Sequence, residues 1–297
     1  MQDQLSSAPP PPRLFCFGLG YSALRLAESL RADGWSVTGT CRSEEKRAAL
    51  AAQGIEAHLF DRGRPLAQAA SVMDGATHLL SSVPPDADGD PVIDHHTGDI
   101  AALRTLRWAG YLSTTGVYGD RDGGWVDEDA ERLPTGSRGR RRVAAEDAWI
   151  DLWLTHGVPV HLFRLAGIYG PGRNALETVR QGRARRIVKP GQVFSRIHVD
   201  DIAAVLLASM TAPHPGTAYN VCDDEAAPPD VVIAHACALL GVAPPPEEPF
   251  ETAEMSEMGR SFYADNKRVS NRRIKEELGV SLSFPDYRVG LARLLHG

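Results

Sequence analysis

A glycine-rich loop joins the first apolar run of this chain to its first amphipathic stretch. Residues 14–17 predict a short buried strand, and residues 22–31 place their apolar side chains on one face of a helix. Gly18 permits a tight turn, Gly20 lets the backbone approach a pyrophosphate, and Ala23 allows close packing of helix on strand. The helix start at Tyr21 and Ser22 would offer free N–H groups to phosphate oxygens. Although the loop alone could be a structural turn, this context predicts nucleotide binding.

Apolar runs and helical stretches go on alternating along the chain, which is typical of βαβ units and a parallel sheet. Further strands are predicted at residues 36–41, 57–60, 77–82, 109–114, 160–165 and 218–221. Further helices are predicted at residues 43–53, 138–155, 202–210 and 229–240, and Asp200 is predicted to cap the third of these. Residues 84–99 predict a long loop that leads into a helix, and residues 250–297 predict two helices.

Composition and charge exclude several classes of protein. A chain of 297 residues suits one α/β unit, or two lobes that share a core. No apolar run approaches the roughly 18 residues that a membrane span requires. The formal net charge of −6 argues against nonspecific binding of nucleic acid by the whole surface. We therefore expect a small-molecule ligand, with neither nucleic acid nor membrane as a partner.

The cysteines and the amino-terminal residues indicate the cellular compartment in which the protein is expected. Cys16, Cys41, Cys222 and Cys237 are widely spaced, and none forms a pair with metal-ligand spacing. We expect buried free thiols and no metal site. Residues 1–12 are polar and then proline-rich, without the apolar stretch of a signal peptide, which predicts a disordered tail. The reducing cytoplasm is the expected compartment.

The end of the second predicted strand bears on which dinucleotide could bind. NAD-specific folds usually place an acidic residue there, because it accepts hydrogen bonds from the ribose hydroxyls. This chain has Arg42 and Ser43 instead. Arg42 could bind a 2′-phosphate, although it could also be a solvated loop residue. The pattern favours NADP over NAD.

Several segments together resemble one known family. Besides the loop at Gly18, they are Gly110–Gly119 (GYLSTTGVYG), Val143–Glu146 (VAAE) and Arg164–Gly172 (RLAGIYGPG). This frame resembles the extended short-chain dehydrogenase/reductase family. The segments Phe194–Asp201 (FSRIHVDD) and Asn266–Asn271 (NKRVSN) are similar to an atypical, YeeZ-like subgroup of epimerase/dehydratase-like proteins.

The resemblance implies a fold and further cofactor contacts. The fold would be a doubly wound parallel Rossmann sheet of about seven strands, in the order 3-2-1-4-5-6-7, with a small C-terminal lobe. Residues 13–165, completed by 197–243, would form the core, and residues 166–196 and 244–297 would form a substrate-binding lobe. Asp61 would contact the adenine, unless it only forms a turn. The cofactor would also meet residues at the end of strand four, namely Ser81, Ser82 and Val83.

The resemblance also implies a catalytic frame, and this chain departs from it. Members usually carry Tyr-Gly-x-Ser-Lys with a Glu four residues after the Lys. Anchoring on Glu146 puts Arg142 at the Lys position and Arg138 at the Tyr position, while Thr114 falls at the substrate-orienting Ser/Thr. Arg142 could still hold the nicotinamide ribose. Arg138 cannot act as the general base, because a guanidinium does not deprotonate in proteins.

Three residues could replace the lost acid/base. Tyr118 follows strand five, Tyr169 follows strand six, and His198 precedes the helix of residues 202–210. Only His198 has an ordinary pKa near neutrality. Each of the three also has an ordinary structural interpretation, as a packing or cofactor-shelf residue or as a helix start.

A basic segment and an apolar helix suggest the substrate and a partner. Arg173 and Arg196 belong to a basic segment that could bind substrate phosphate, as in sugar-nucleotide enzymes; its other members are Arg180, Arg183, Arg185, Arg186 and Lys189. The helix of residues 138–155 carries Trp149, Ile150, Trp153 and Leu154, which could pack against a second copy. The leading hypothesis is an NAD(P)-dependent oxidoreductase, epimerase or dehydratase acting on a polar, anionic small molecule such as a nucleotide sugar. The alternative is an inactive NAD(P)-binding sensor or scaffold.

Overall fold

A seven-stranded parallel sheet forms the centre of the computed structural model, which describes residues 11–296. Its strands are β1 (Arg13–Phe17), β2 (Ser36–Cys41), β3 (Glu56–Leu59), β4 (His78–Ser81), β5 (Trp108–Thr114), β6 (Val160–Leu165) and β7 (Ala218–Val221). They lie in the order 3-2-1-4-5-6-7, which confirms the predicted Rossmann topology. All but the last two residues of the predicted tail, residues 1–12, lie outside the described residues.

Helices cover both faces of this sheet. The α-helices of the described residues are α1 (Tyr21–Ala32), α2 (Glu44–Ala52), α3 (Ala69–Val72), α4 (Pro91–Ala101), α5 (Ser137–His156), α6 (Ala175–Arg180), α7 (Val199–Thr211), α8 (Pro229–Leu239), α9 (Glu257–Phe262), α10 (Arg272–Glu276) and α11 (Tyr287–His296). Leu14 and Cys16 of β1 pack with α1 and α7. Phe15 and Phe17 pack on the other face with α4 and α5. Because both faces are buried, the strands are apolar at successive positions instead of alternating with polar ones.

The predicted loop at residues 84–99 is wrong in its second half, which is helical. Asp90 caps α4, because its carboxylate accepts from the amides of Val92 at 2.9 Å and Ile93 at 3.2 Å. Pro91 then occupies the first turn, where its missing N–H costs nothing. Trp149 of α5 donates its indole N–H to Asp90 at 3.1 Å. The aspartate and proline that suggested a loop are therefore a helix start.

Asp200 does not cap its helix as predicted. α7 begins at Val199, and the capping residue is His198, whose Nδ1 accepts from the Asp200 amide at 3.2 Å. The Asp200 carboxylate instead pairs with Arg25 of α1 and thus joins the two helices. The helix starts three residues earlier than the periodicity indicated, because Asp200 and Asp201 suit the first turn itself.

A smaller apolar cluster lies beside the sheet. Leu176 of α6, Val232 and Ala236 of α8, and Tyr287 and Leu291 of α11 are buried together. Residues 250–296 contain three helices, not the two predicted from the sequence. The division into core and substrate lobe remains a prediction. None of the helices between residues 11 and 296 has both the length and the apolarity needed to cross a membrane.

Some of the apolar side chains of α5 pack against other parts of the same chain. Trp149 is buried and stacks on Tyr111 of β5, and Trp153 packs against Gly216. Leu154 is 67% exposed. A dimer through this helix remains a prediction, and it would use a smaller apolar face than the sequence indicated.

Candidate functional site

The glycine-rich loop lies between β1 and α1 with the geometry that a phosphate site requires. Gly18 has φ +84°, a left-handed conformation that favours glycine, and its amide donates to the Thr40 hydroxyl at 2.9 Å. Gly20 is the first residue before α1; no side chain caps the helix there, and no acidic residue occupies the first turn. A Cβ added to Gly20 would meet nothing within 4 Å. The amino end of α1 is therefore open to an anion.

The end of β4 lies next to this loop, as predicted. A Cβ on Gly18 would lie 3.2 Å from Val83 Cγ2, and the amide of Ser82 donates to the Phe17 carbonyl at 2.9 Å. Ser81 is fully buried, and its hydroxyl has no hydrogen-bond partner in the described chain. The packing therefore brings Val83 and Ser82 to the predicted cofactor edge, whereas Ser81 lies beneath it.

At the ends of β2 and β3, Arg42 and Asp61 are accompanied by a residue that the sequence did not single out. The Arg42 side chain is exposed and has no ion-pair or hydrogen-bond partner among residues 11–296. Arg64 donates to the Arg42 carbonyl at 2.9 Å and to the Asp61 carboxylate at 2.8 Å. Asp61 and Arg64 also form an antiparallel bridge around the turn between them. The i, i+3 spacing of opposite charges was the available signal for this pair.

Thr114 lies where β5 ends and close to the start of α5. Its hydroxyl accepts from the Gly116 amide at 3.2 Å and keeps its own O–H for another acceptor. A Cβ on Gly139 would lie 2.8 Å from the Gly116 carbonyl and 2.6 Å from Pro134 Cβ. This close approach explains a glycine inside a helix.

The two arginines at the Tyr and Lys positions differ in their surroundings. Arg142 donates to the Leu112 carbonyl and lies over the Tyr111 ring, with 5.7 Å from guanidinium carbon to ring centroid. Arg138 is exposed, and its side chain has neither a hydrogen bond nor an ion pair within residues 11–296. Arg142 thus packs against β5, while Arg138 keeps all its donors available.

A buried polar network that the sequence reasoning missed lies under this region. Glu146, fully buried, accepts from the Ser113 hydroxyl at 2.6 Å and from Arg164 at 2.9 Å. Arg164 also donates to the Tyr118 hydroxyl at 2.8 Å, and that hydroxyl donates to Asn220 at 2.7 Å. Arg164 was the feature of the sequence that could have predicted this network, because an arginine within an apolar strand needs buried partners.

The two tyrosine candidates for the acid/base are both buried. Tyr118 is fully buried with its hydroxyl bonds satisfied, and burial raises its pKa to about 12. Tyr169 is buried against Gly290, where an added Cβ would lie 2.1 Å from its hydroxyl oxygen, and burial also raises the pKa of this phenol. These surroundings argue against both predictions.

His198 is also poorly suited to that role. It is 1% exposed, and its ring stacks on Phe284 with centroids 3.7 Å apart. Burial lowers the pKa of His198 to about 4, so the imidazole is neutral near neutral pH. Nδ1 accepts from a backbone amide, and Nε2 has no partner in the described chain. The helix start, which was the structural alternative, fits this geometry.

Arg196 faces an acid that the sequence analysis overlooked. Asp223 follows β7 and is 3% exposed; its amide donates to the Arg196 carbonyl at 2.7 Å. The Arg196 guanidinium donates to the carbonyls of Phe194 at 2.8 Å and Ala227 at 3.0 Å and forms no ion pair with Asp223. Burial raises the pKa of Asp223 to about 8, although Arg196 opposes the shift.

The raised pKa of Asp223 gives a pH-dependent prediction. Because the folded state favours the protonated carboxyl, the contribution of Asp223 to wild-type stability should fall by about 1.4 kcal/mol per pH unit between the unfolded and folded pKa values, from about 4 to about 8. Asp223→Asn cannot ionise, so its free energy of unfolding should rise relative to the wild type across this range and level off above it. Urea unfolding at several pH values measures the difference.

Asp224→Asn is the matched control for this prediction. Asp224 is exposed and pairs with Lys275, so Asp224→Asn removes a neighbouring carboxyl that lacks the burial of Asp223 and serves as the reference for the effect of pH. A constant difference between Asp223→Asn and the wild type from pH 4 to 8 would show that the carboxyl ionises normally.

Known proteins are similar to this chain in sequence and in structure. No known family model matches the chain. Protein YeeZ of Escherichia coli K12 is 28% identical in an alignment of length 283 that covers 91% of this chain and 95% of YeeZ. A conserved protein of unknown function from Silicibacter pomeroyi is 51% identical, with TM-score 0.89 and coverage of 96% of this chain and 98% of its own. A proposed NAD-dependent epimerase/dehydratase from Methylobacillus flagellatus is 25% identical, with TM-score 0.69 and coverage of 96% and 98%.

These similarities support a relationship between this chain and the epimerase/dehydratase-like part of the extended short-chain dehydrogenase/reductase family. In the catalytic frame that the resemblance implies, the chain keeps Gly139 and Glu146 but carries arginine at both neighbouring functional positions. Gly139 is tightly packed and Glu146 is buried with its carboxylate hydrogen-bonded, whereas the register that places Arg138 and Arg142 at the Tyr and Lys positions remains a prediction.

Proposed function

We propose that this protein is an NAD(P)-dependent oxidoreductase, epimerase or dehydratase acting on a polar, anionic small molecule such as a nucleotide sugar. The observation that carries the proposal is the uncapped amino end of α1 behind Gly18 and Gly20. This helix end lies next to β4. The strand order of the sheet reverses between β1 and β4, and open α/β sheets bind ligands at such a reversal.

The residues at this edge fit a dinucleotide. The amides of Tyr21 and Ser22 would hold the pyrophosphate, and Val83 and Ser82 would line the wall next to it. When bound, the cofactor would supply a hydride acceptor or donor. Thr114 would orient the substrate through its free O–H, and Arg142 would contact the ribose with the donors that Leu112 does not use.

Arg138 would favour an anionic substrate. Arg138 stands one helical turn before Arg142 with its donors free, and it could bind an anion at the position of the missing tyrosine. The proton-transferring group would be one other than Tyr118, Tyr169 and His198, all of which are buried. The conventional Tyr–Lys mechanism would therefore not be in use.

Hydride transfer tests the proposal directly. Purified protein with NADPH or NADH is incubated with carbonyl compounds and nucleotide sugars, and the absorbance of the reduced nicotinamide is followed. Oxidation of the cofactor, or conversion of a sugar with bound cofactor, supports an enzyme. Dinucleotide binding without turnover would point to the sensor or scaffold, and absence of dinucleotide binding would contradict both.

Cofactor preference gives a separate prediction. The free guanidinium of Arg42, at the end of β2 where NAD-specific folds usually place an acid, favours NADPH over NADH. Arg42→Ala should weaken NADPH binding by about 1.5–3 kcal/mol, as expected for a hydrogen bond between charged groups, and leave NADH unchanged. Titration calorimetry measures both affinities. Arg47→Ala is the control, because Arg47 pairs with Glu44, and equal wild-type affinities for the two cofactors would contradict the preference.

A further inference from the structure

The turn Gly170–Arg173 is fixed against the nucleotide loop. Gly170 and Arg173 exchange backbone hydrogen bonds of 2.9 and 3.1 Å across the turn. The Tyr21 hydroxyl, at the start of α1, donates to the Pro171 carbonyl at 2.9 Å. A hydrogen bond thus joins segments 150 residues apart in sequence.

The contact between this turn and Tyr21 is closely packed. A Cβ on Gly170 would lie 2.6 Å from the Tyr21 hydroxyl oxygen and 2.7 Å from Val199 Cγ1. Only glycine leaves room for the tyrosine at this point. Asn174 also donates to the Gly170 carbonyl at 2.9 Å. The turn therefore has little freedom to move away from the start of α1.

Arg173 projects from this turn with its charge uncompensated. Its guanidinium carbon lies 5.9 Å from the centroid of the Tyr21 ring, its side chain is exposed, and in the described chain it makes no ion pair or side-chain hydrogen bond. The other basic side chains of residues 173–196 already have partners: Glu177 for Arg180, Gln181 for Arg183, Glu248 for Arg185, Glu247 for Arg186, and carbonyl groups for Lys189 and Arg196. Arg173 keeps all its donors.

We infer that Arg173 binds the pyrophosphate of the dinucleotide and not a phosphate of the substrate, as the sequence suggested. The inference rests on the proposed function. The anion would lie between the uncapped amides of α1 and a guanidinium held by Tyr21, and both groups favour negative charge. The rigid turn fixes the backbone that carries Arg173, so that only the side chain remains to be ordered on binding.

The test separates cofactor phosphate from substrate phosphate by using ligands that contain only one of them. ADP-ribose and its 2′-phosphate contain the pyrophosphate but no nicotinamide, and UDP represents the diphosphate of a substrate. Arg173→Ala should bind both ADP-ribose ligands about tenfold or more weakly, as expected for loss of a charge-assisted contact, with a smaller dependence of affinity on salt. Any thermal shift caused by UDP should stay unchanged. Arg180→Ala is the control from the same segment, and its affinities should match the wild type.

The possible failures are distinguishable. A wild type that binds neither ADP-ribose ligand contradicts the proposed function. A wild type that binds them, with Arg173→Ala equal to it, contradicts only the role of Arg173. If Arg173→Ala loses only the thermal stabilisation by UDP and still binds the ADP-ribose ligands like the wild type, Arg173 belongs to the substrate site and the inference is wrong. Because Arg173 is exposed, an unchanged melting temperature should confirm that the variant is folded.

Discussion

Gly20→Asp is expected to weaken dinucleotide binding by about 100-fold or more. The new carboxylate would accept hydrogen bonds from the amides that bind phosphate, and its charge would repel the phosphate itself. The same change should not destabilise the protein. Gly20 has φ −90° and ψ −166°, an extended conformation open to any residue, and an added Cβ meets nothing within 4 Å. Aspartate also caps helices well and should raise stability by a few tenths of a kcal/mol.

Calorimetric titration with NADPH and NADH, together with thermal melting, measures the two effects. Gly136→Asp is the matched control, since Gly136 is the uncapped, extended residue before α5 and also has nothing within 4 Å of an added Cβ. This variant should gain similar stability without a comparable loss of affinity. If Gly20→Asp binds dinucleotide like the wild type, the amino end of α1 is not the phosphate site.

Glu146→Ala should lower the free energy of unfolding by about 3–5 kcal/mol, because it would leave the buried charge of Arg164 uncompensated. Glu146 is fully buried, and only 6% of the Arg164 side chain is exposed. The glutamate also accepts from Ser113, which precedes Thr114, so its loss should disturb the end of β5. The unfolding midpoint in urea measures the change.

Asp147→Ala provides the control on the same helix. Asp147 pairs with Arg132 at 2.7 Å, but its side chain is 55% exposed, so its removal should cost at most about 1 kcal/mol. Replacing both partners with apolar residues, as in Glu146→Leu with Arg164→Met, should recover part of the loss. A loss below about 1 kcal/mol for Glu146→Ala would show that water reaches Arg164 and solvates it.

The order of strands and helices could be predicted from the sequence because it follows from local periodicity. The bounds of β2, β6 and β7 agree with the predicted residues 36–41, 160–165 and 218–221. Apolar runs of this length between glycine- and proline-containing turns leave few alternatives. The nucleotide loop could be predicted for the same reason, since Gly18 and Gly20 act through the backbone of their own segment. The error at residues 84–99 arose because Asp90 and Pro91 suit both a turn and a helix start.

The sequence by itself thus determined the fold family and the position of the nucleotide loop, whereas the partners of the polar side chains depended on the tertiary structure. Glu146 and Arg164 are 18 residues apart, and Tyr118 and Asn220 are 102 apart. No local pattern fixes such pairs, because packing alone decides which side chains share a buried space. The same holds for Asp223, whose raised pKa comes from burial, and for Arg173, which folding brings to Tyr21. Backbone requirements are local, whereas burial and charge pairing involve distant segments.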